Sequence, residues 1–567
     1  MTERIPRVAA ALVVLLLVLV VVRLPWAGDL GLHAATVERL RHSLTDPGNP
    51  LVDADTPSPY YSPWMVVLGL VARIGDPSVF VVLRIGALVA LPLLVTGVWA
   101  YVRTLSARRA APPLALLCLL LLWGTAPFAW SGFLGLNSLA LTVSYPSVLA
   151  LGLAFHFWAW LTRALRAAEP AGWGTWAGLG VLWAVILLCH QFSGVVASLG
   201  ALATVLAVRP GAGWRAVRLR LGGGVLLGLA VLWAWPYYDF FALFGAGDGL
   251  EAVHRPLYRD LFARYWLVLV GVVALALRWR RDRRDVLVVF FALGALVFVA
   301  GAVTGHWSWG RALPAALVPA QLAAALEVAA GAGRRAVRAG WAGVLAGALL
   351  AGAWAQAGTV GYVAGRGVLP QAVAEKYREP WAGYHWVTPW VGYGDVVMAR
   401  VPLPARQIPA YGAYTVAPGY PDFFLPDEGV RREAVRRFFA RGCRGASGGG
   451  FCGSTGCGGW WTGGTGCGGS RGCGWWRSGP AARCCTRWGE RAASAARHPR
   501  AARRCGRRYG RPRAGRVSAG RFSGAGPPCA AAGGRGAGPG GVPPVPSPPS
   551  VPSAPGGGPG CGPPAPP

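Results

Sequence analysis

At 567 residues the chain has room for three or four soluble domains, yet 54% of it is hydrophobic and only 14% charged. A soluble protein carries about 25% charge, and with a mean hydropathy of +0.42 this chain reads as a membrane protein. The net charge of +32 does not point to nucleic acid, because it has two separate origins: residues 1–442 hold 38 basic and 22 acidic side chains, and residues 443–567 hold 17 Arg against the single acid Glu490, +16 in each part.

In chain order, residues 8–22 form an unbroken apolar run behind Arg4 and Arg7. No small-residue cleavage site follows, so the run predicts a first transmembrane helix. Further runs of spanning length lie near 78–102, 112–128, 138–162, 173–189, 191–208, 221–238, 263–279, 285–303, 312–332 and 341–358. Together they predict an all-α polytopic membrane bundle of about eleven helices over residues 1–358. The shorter apolar stretch 62–74 predicts an interfacial helix.

The arginines set the expected orientation. With the N-terminus cytoplasmic, every second loop is cytoplasmic, and those loops carry Arg103, Arg108 and Arg109, then Arg163 and Arg166, then clusters within 209–220, 278–284 and 334–338. The alternate loops hold few bases: Arg39, Arg41, Arg255, Arg259 and Arg311. Positive-inside charge therefore accounts for the +16 of the first 442 residues, and a nucleic-acid partner is not expected.

Two regions are expected outside the membrane. One is the first outer loop, residues 24–61. The other is 359–442, where 395–401 reads as a strand and a helix from about Asp427 to Phe439 follows, with Asp427 as its N-cap. These predict a small extracytoplasmic α/β domain.

The first outer loop holds Gly28-Asp29-Leu30-Gly31-Leu32-His33 and Tyr60-Tyr61-Ser62-Pro63. A helix starting at Asp29 puts Asp29 and His33 on one face. A carboxylate at the membrane surface can deprotonate a hydroxyl or help hold a divalent cation beside a lipid phosphate; the alternative is an N-cap Asp with a solvated His. The same topology brings His190-Gln191 and the stretch His306 to Arg311 to the outer side. Ionisable groups at membrane depth are costly and usually functional, and Arg311 can grip a phosphate or simply snorkel. His156, Arg84 and Glu327 fall inside helices and read as packing residues.

A short N-terminal helix, an acidic first outer loop with Gly28-Asp29 and His33, the Tyr60-Tyr61-Ser62-Pro63 segment, about eleven helices and an outer α/β region resemble the GT-C class of polytopic glycosyltransferases. The resemblance covers about residues 1–442. It implies a sugar donor on a polyprenyl phosphate, inverting transfer to a cell-envelope glycan, and often a divalent cation, Mg or Mn. Asp29 is the catalytic base by resemblance, with His33, Tyr60, Tyr61, His190, His306 and Arg311 as substrate-binding candidates. Leu30 follows Asp29 where many members carry a second acid, and the metal ligands are left unassigned. The runner-up is a transporter or flippase of a lipid-linked glycan. Transporters place their binding groups at the midplane, often within internal repeats, and no repeat is visible here.

Residues 443–567 contain no Leu, Ile, Met, Lys, Asp, Asn or Gln and hold ten of the 12 cysteines, with no CxxC pair among them. Such a segment cannot bury enough apolar surface to offset its chain entropy, so a disordered low-complexity tail is expected. One Lys against 54 Arg marks a GC-rich gene. With GC-rich codons read from the third base of each triplet, Cys457 to Trp461 becomes Arg-Trp-Leu-Val, Cys473 to Trp476 becomes Arg-Leu-Val, and a stop codon opens across Gly489-Glu490. This predicts a frameshift near residues 440–443, with the authentic chain ending near 489. Sequencing the gene across codons 436–492 is expected to show the shifted frame open up to that stop. Early stops in that frame would remove the idea.

Overall fold

The computed structural model describes residues 4–245, 248–331 and 335–441, together with the short strand Arg477–Ser478. Trp460, Trp461, Trp475 and Trp476, and nearly all of the frameshift expectation, lie outside the described residues.

The chain folds as a helical bundle. Eight of its described helices are long and apolar enough to cross a membrane: Arg4–Arg23, Val79–Leu105, Pro146–Arg166, Trp214–Trp233, Leu261–Arg281, Val286–Thr304, Trp307–Ala330 and Arg335–Ala355. The other three expected spans are shorter apolar helices, Ala111–Leu121, Trp173–Cys189 and Gln191–Ala207. The short apolar stretch 62–74 forms the helix Pro63–Gly75. Leu12, Leu226, Leu296 and Leu350 face outward and exposed, as apolar side chains do when the surrounding medium is lipid rather than water.

Local chemistry sets the helix ends. Ser62 caps the Pro63–Gly75 helix by accepting from Met65 N at 3.2 Å, with Pro63 in the first turn. Asp285 does the same for Val286–Thr304. Gly331, at φ +60, closes the helix before it. The expected run 138–162 is broken into Leu136–Thr142 and Pro146–Arg166, because Pro146 holds Tyr145 in an extended conformation.

Backbone contact between spans depends on glycine. A Cβ on Gly152 would come 2.8 Å from Leu94 N, so Val79–Leu105 and Pro146–Arg166 can touch only where no side chain intervenes. Gly152→Val is expected to cost about 1–3 kcal/mol by overpacking. Gly222, inside Trp214–Trp233 with nothing near its Cβ position, should accept Ala without loss. Thermal unfolding in detergent checks both; equal melting temperatures for the two variants would contradict this packing.

The helix ends also sort the charges. Pro146–Arg166 runs from Tyr145 to Arg166, and Gln191–Ala207 runs from His190 toward Arg209. Trp307–Ala330 runs from Arg311 to Glu327, which accepts from Arg281 at 2.9 Å. A 21-residue helix is about 30 Å long, so Tyr145, His190 and Arg311 gather at one end and the Arg-rich loops at the other.

At the Tyr145 end, the first loop is built around the Leu30–His42 helix, whose residues are mostly buried. Residues 359–441 pack over it. Thr415 N donates to Leu51 O at 2.8 Å, Asn49 Nδ2 to Asp422 Oδ2 at 2.7 Å, and Arg39 to the carbonyls of Gly412 and Ala413 at 2.9 and 2.7 Å. Strand structure here is slight: Val396–Val397 pairs in parallel with Tyr414–Thr415 and antiparallel with Arg477–Ser478. Of the expected strand 395–401 only two residues pair, because Pro402 begins a short helix. The expected helix after Asp427 is Glu428–Arg441, and Asp427 accepts from Arg431 Nε at 2.9 Å.

Candidate functional site

The first helix ends at Arg23, and Leu24 and Gly28 turn the chain with positive φ. Asp29 is the N-cap of Leu30–His42, but its side chain makes no capping hydrogen bond. The carboxylate is thus not spent on the helix, and among the described residues it is in no ion pair. Burial raises its pKa, while the charges of Arg311 and Arg406 lower it.

His33 lies one helical turn on, with its N–H donating to Asp29 O at 3.0 Å. The residue is buried, and its ring packs against Tyr145 and Tyr60 with centroids 4.6 and 6.3 Å away. Burial pushes its pKa down to about 3, so the imidazole is neutral at physiological pH. Nδ1 has no hydrogen-bond partner. The Tyr60 hydroxyl feels Asp29, Asp422 and Arg311, and burial holds its pKa above the usual tyrosine value.

Arg311 enters from the bundle. Its guanidinium lies 4.4 Å from the Phe192 ring centre and 5.9 Å from that of Trp130. Its Nη2 is 3.3 Å from His190 Nε2. His190 is fixed on both sides: Nδ1 lies 3.1 Å from Ser193 N and 2.8 Å from Ser193 Oγ, and Nε2 is 3.4 Å from Ser131 Oγ. The sequence reading of His190 as a helix-end residue and as a site residue both describe its position, for it caps Gln191–Ala207 and holds Arg311.

Asp29, His33, Tyr60, His190 and Arg311 therefore share one place. Two other candidates do not join them. Tyr61 is buried elsewhere, with its hydroxyl donating to Gly48 O at 2.8 Å and its ring beside Tyr237; adjacent residues 60 and 61 point apart, and Tyr61 serves packing. His306 is exposed and stacks on Trp309 at 5.4 Å, because its loop turns it out beyond the Trp307–Ala312 3-10 turn.

Three neighbours were not legible in the sequence. Tyr145 donates to Ala27 O and Tyr420 to Gly28 O, each at 2.6 Å, holding the turn that presents Asp29. Arg406 is the third. Its Nε donates to Gly419 O at 3.1 Å and its guanidinium lies over the Tyr420 ring at 4.6 Å, which sets a second cation near Asp29.

The divalent cation implied by the sequence resemblance finds no ligand set. Among the described residues no three His, Cys, Asp or Glu side chains come together to hold a metal, and His33 and Asp29 supply only two groups of that kind.

No protein-family model and no curated protein matches the chain.

Proposed function

We propose that the chain is an inverting membrane glycosyltransferase that moves a sugar from a polyprenyl-phosphate donor to a cell-envelope glycan on the outer face of the cell membrane. One observation carries the reading: the half-buried Asp29 carboxyl makes no capping hydrogen bond, and it feels the charges of Arg311 from the bundle and Arg406 from the outer segment. A base with two cations nearby suits a reaction that removes a proton from a hydroxyl and leaves negative charge on a phosphate.

In this reading the acceptor hydroxyl attacks the anomeric carbon and its proton passes to Asp29. The bond from that carbon to the donor's phosphate oxygen breaks, with inversion, and polyprenyl phosphate leaves. Arg311 and Arg406 meet the charge left on the phosphate. The neutral, unpartnered Nδ1 of His33 is placed to bond a sugar hydroxyl, and Tyr60 lines the same space. Eleven membrane crossings belong to the same proposal, with the three shorter helices crossing beside the eight long ones. So do a cytoplasmic N-terminus and an extracytoplasmic α/β region.

The test uses the full chain in lipid nanodiscs with a polyprenyl-phosphate-linked sugar and an oligosaccharide acceptor. Free polyprenyl phosphate and an extended oligosaccharide are expected in equal amounts. Passage of the intact lipid-linked glycan across a vesicle, with no bond broken, would replace the transferase with a flippase.

A further inference from the structure

The Arg-rich end of the bundle carries a second cavity, one helix length away from Asp29 and unrelated to it. It encloses about 360 Å³, within the size range of small-molecule sites. Its wall is made by the ends of the spans closing at Leu105, Arg166 and Ala207 and by the turn between Arg278 and Val286.

Four arginines line it, Arg166, Arg209, Arg278 and Arg284, together with Asp282 and Asp285. Asp285 is paired with an arginine, and Asp282 accepts a backbone N–H, so the four arginines outnumber the acids. Asp285 accepts from Arg278 Nη2 at 2.6 Å and from Leu287 N at 2.9 Å, and Asp282 Oδ1 accepts from Arg284 N at 2.9 Å. Arg278 is committed to Asp285 and Glu327, and Arg166 donates Nη1 to Thr104 O at 2.6 Å. The guanidinium groups of Arg209 and Arg284 form no hydrogen bond or ion pair with the described residues. Two forked cations on one cavity wall are thus left for an anion from outside the chain.

Position selects the source of that anion. The cavity opens where the apolar spans end, which is the depth of lipid phosphates. Leu202 and Leu206, on the helix that leads to Arg209, are exposed to the surrounding medium, so an apolar track for an acyl chain runs up to the cation. We infer that this cavity holds the phosphate headgroup of an anionic phospholipid, gripped by Arg209 and Arg284. The lipid then ties the 103–109, 163–172, 208–213 and 281–285 connections to one leaflet.

The test takes the full-length protein in detergent and counts bound lipid by native mass spectrometry as phosphatidylglycerol is added, with phosphatidylcholine as the neutral comparison. Wild type is expected to saturate with phosphatidylglycerol and to ignore phosphatidylcholine. The double variant Arg209→Gln, Arg284→Gln should bind about 30-fold more weakly, the loss expected for two basic groups at a lipid surface. Arg283→Gln is the control, since Arg283 lies over Trp279 at 5.9 Å and does not line the cavity; it should bind as wild type does. Equal affinity of the double variant and wild type would overturn the proposal. So would inorganic phosphate occupying the cavity as well as the lipid does, for the ligand would then be soluble. Should the double variant fail to fold, wild type decides: phosphatidylglycerol is expected to protect Arg209 and Arg284 from a guanidine-reactive glyoxal, and unprotected modification of both sinks the idea.

Discussion

Asp29→Asn is expected to lower sugar transfer by about 100-fold or more, the scale of a lost general base. The substitution keeps the shape and the backbone N-cap, and it removes no side-chain capping bond, because Asp29 makes none. A loss of turnover in folded protein therefore reports proton transfer. The pH profile gives a second readout. A base must be ionised, and burial raises the Asp29 pKa, with Arg311 and Arg406 opposing the rise. The acidic limb of the rate in wild type should accordingly fall above the ordinary aspartate value of about 4, with activity rising as pH increases through the limb. That limb should be absent from whatever rate Asp29→Asn retains. Full turnover in Asp29→Asn would move the base elsewhere, and Asp53 of the same loop would be the next to test.

Loss of the guanidinium at Arg311 is the second large effect. Arg311→Gln should cut turnover severely, since an enclosed cation facing a developing phosphate charge is worth several kcal/mol on the scale of about 10²–10³ per electrostatic donor. Arg311→Lys keeps the charge but loses the planar fork and its contact with Phe192 and His190. It should be impaired less than Gln and more than wild type. The order wild type, Lys, Gln in turnover, measured at saturating donor, is the expected result. Equal activity of Lys and Gln would mean that charge at this position does not bear on the transition state. Arg406→Gln separates the two cations: a rise in KM with little change in kcat assigns Arg406 to donor binding.

Much of the bundle was legible because a membrane helix must satisfy its own backbone and show apolar side chains to lipid. Each of the eleven apolar runs overlaps a helix, eight of them long enough to cross a membrane, and the arginine-bearing loops do collect at one end. Helix ends were read less well. Pro146 divides one run, and the turn at Trp123–Gly135 shortens another, since local backbone chemistry and not hydropathy decides where a helix stops. In the outer segment, the strand expected over 395–401 shrank to the pair Val396–Val397, because Pro402 begins a short helix.

The site divides in the same way. Position singled out Asp29, His33, His190 and Arg311, since an ionisable side chain at a membrane boundary stands out against an apolar background, and the GT-C resemblance added Tyr60. Sequence could not separate Tyr60 from Tyr61, whose side chains part company at one peptide bond, nor tell that His306 turns outward. It gave no sign of Tyr145, Tyr420 or Arg406. Their roles come from contacts between residues far apart in the chain: two hydroxyls meeting the Ala27 and Gly28 carbonyls, and a guanidinium over Tyr420 whose charge reaches Asp29. Burial and local charge decide the protonation of Asp29 and His33, and both are properties of the folded surroundings, which no residue carries in its own identity.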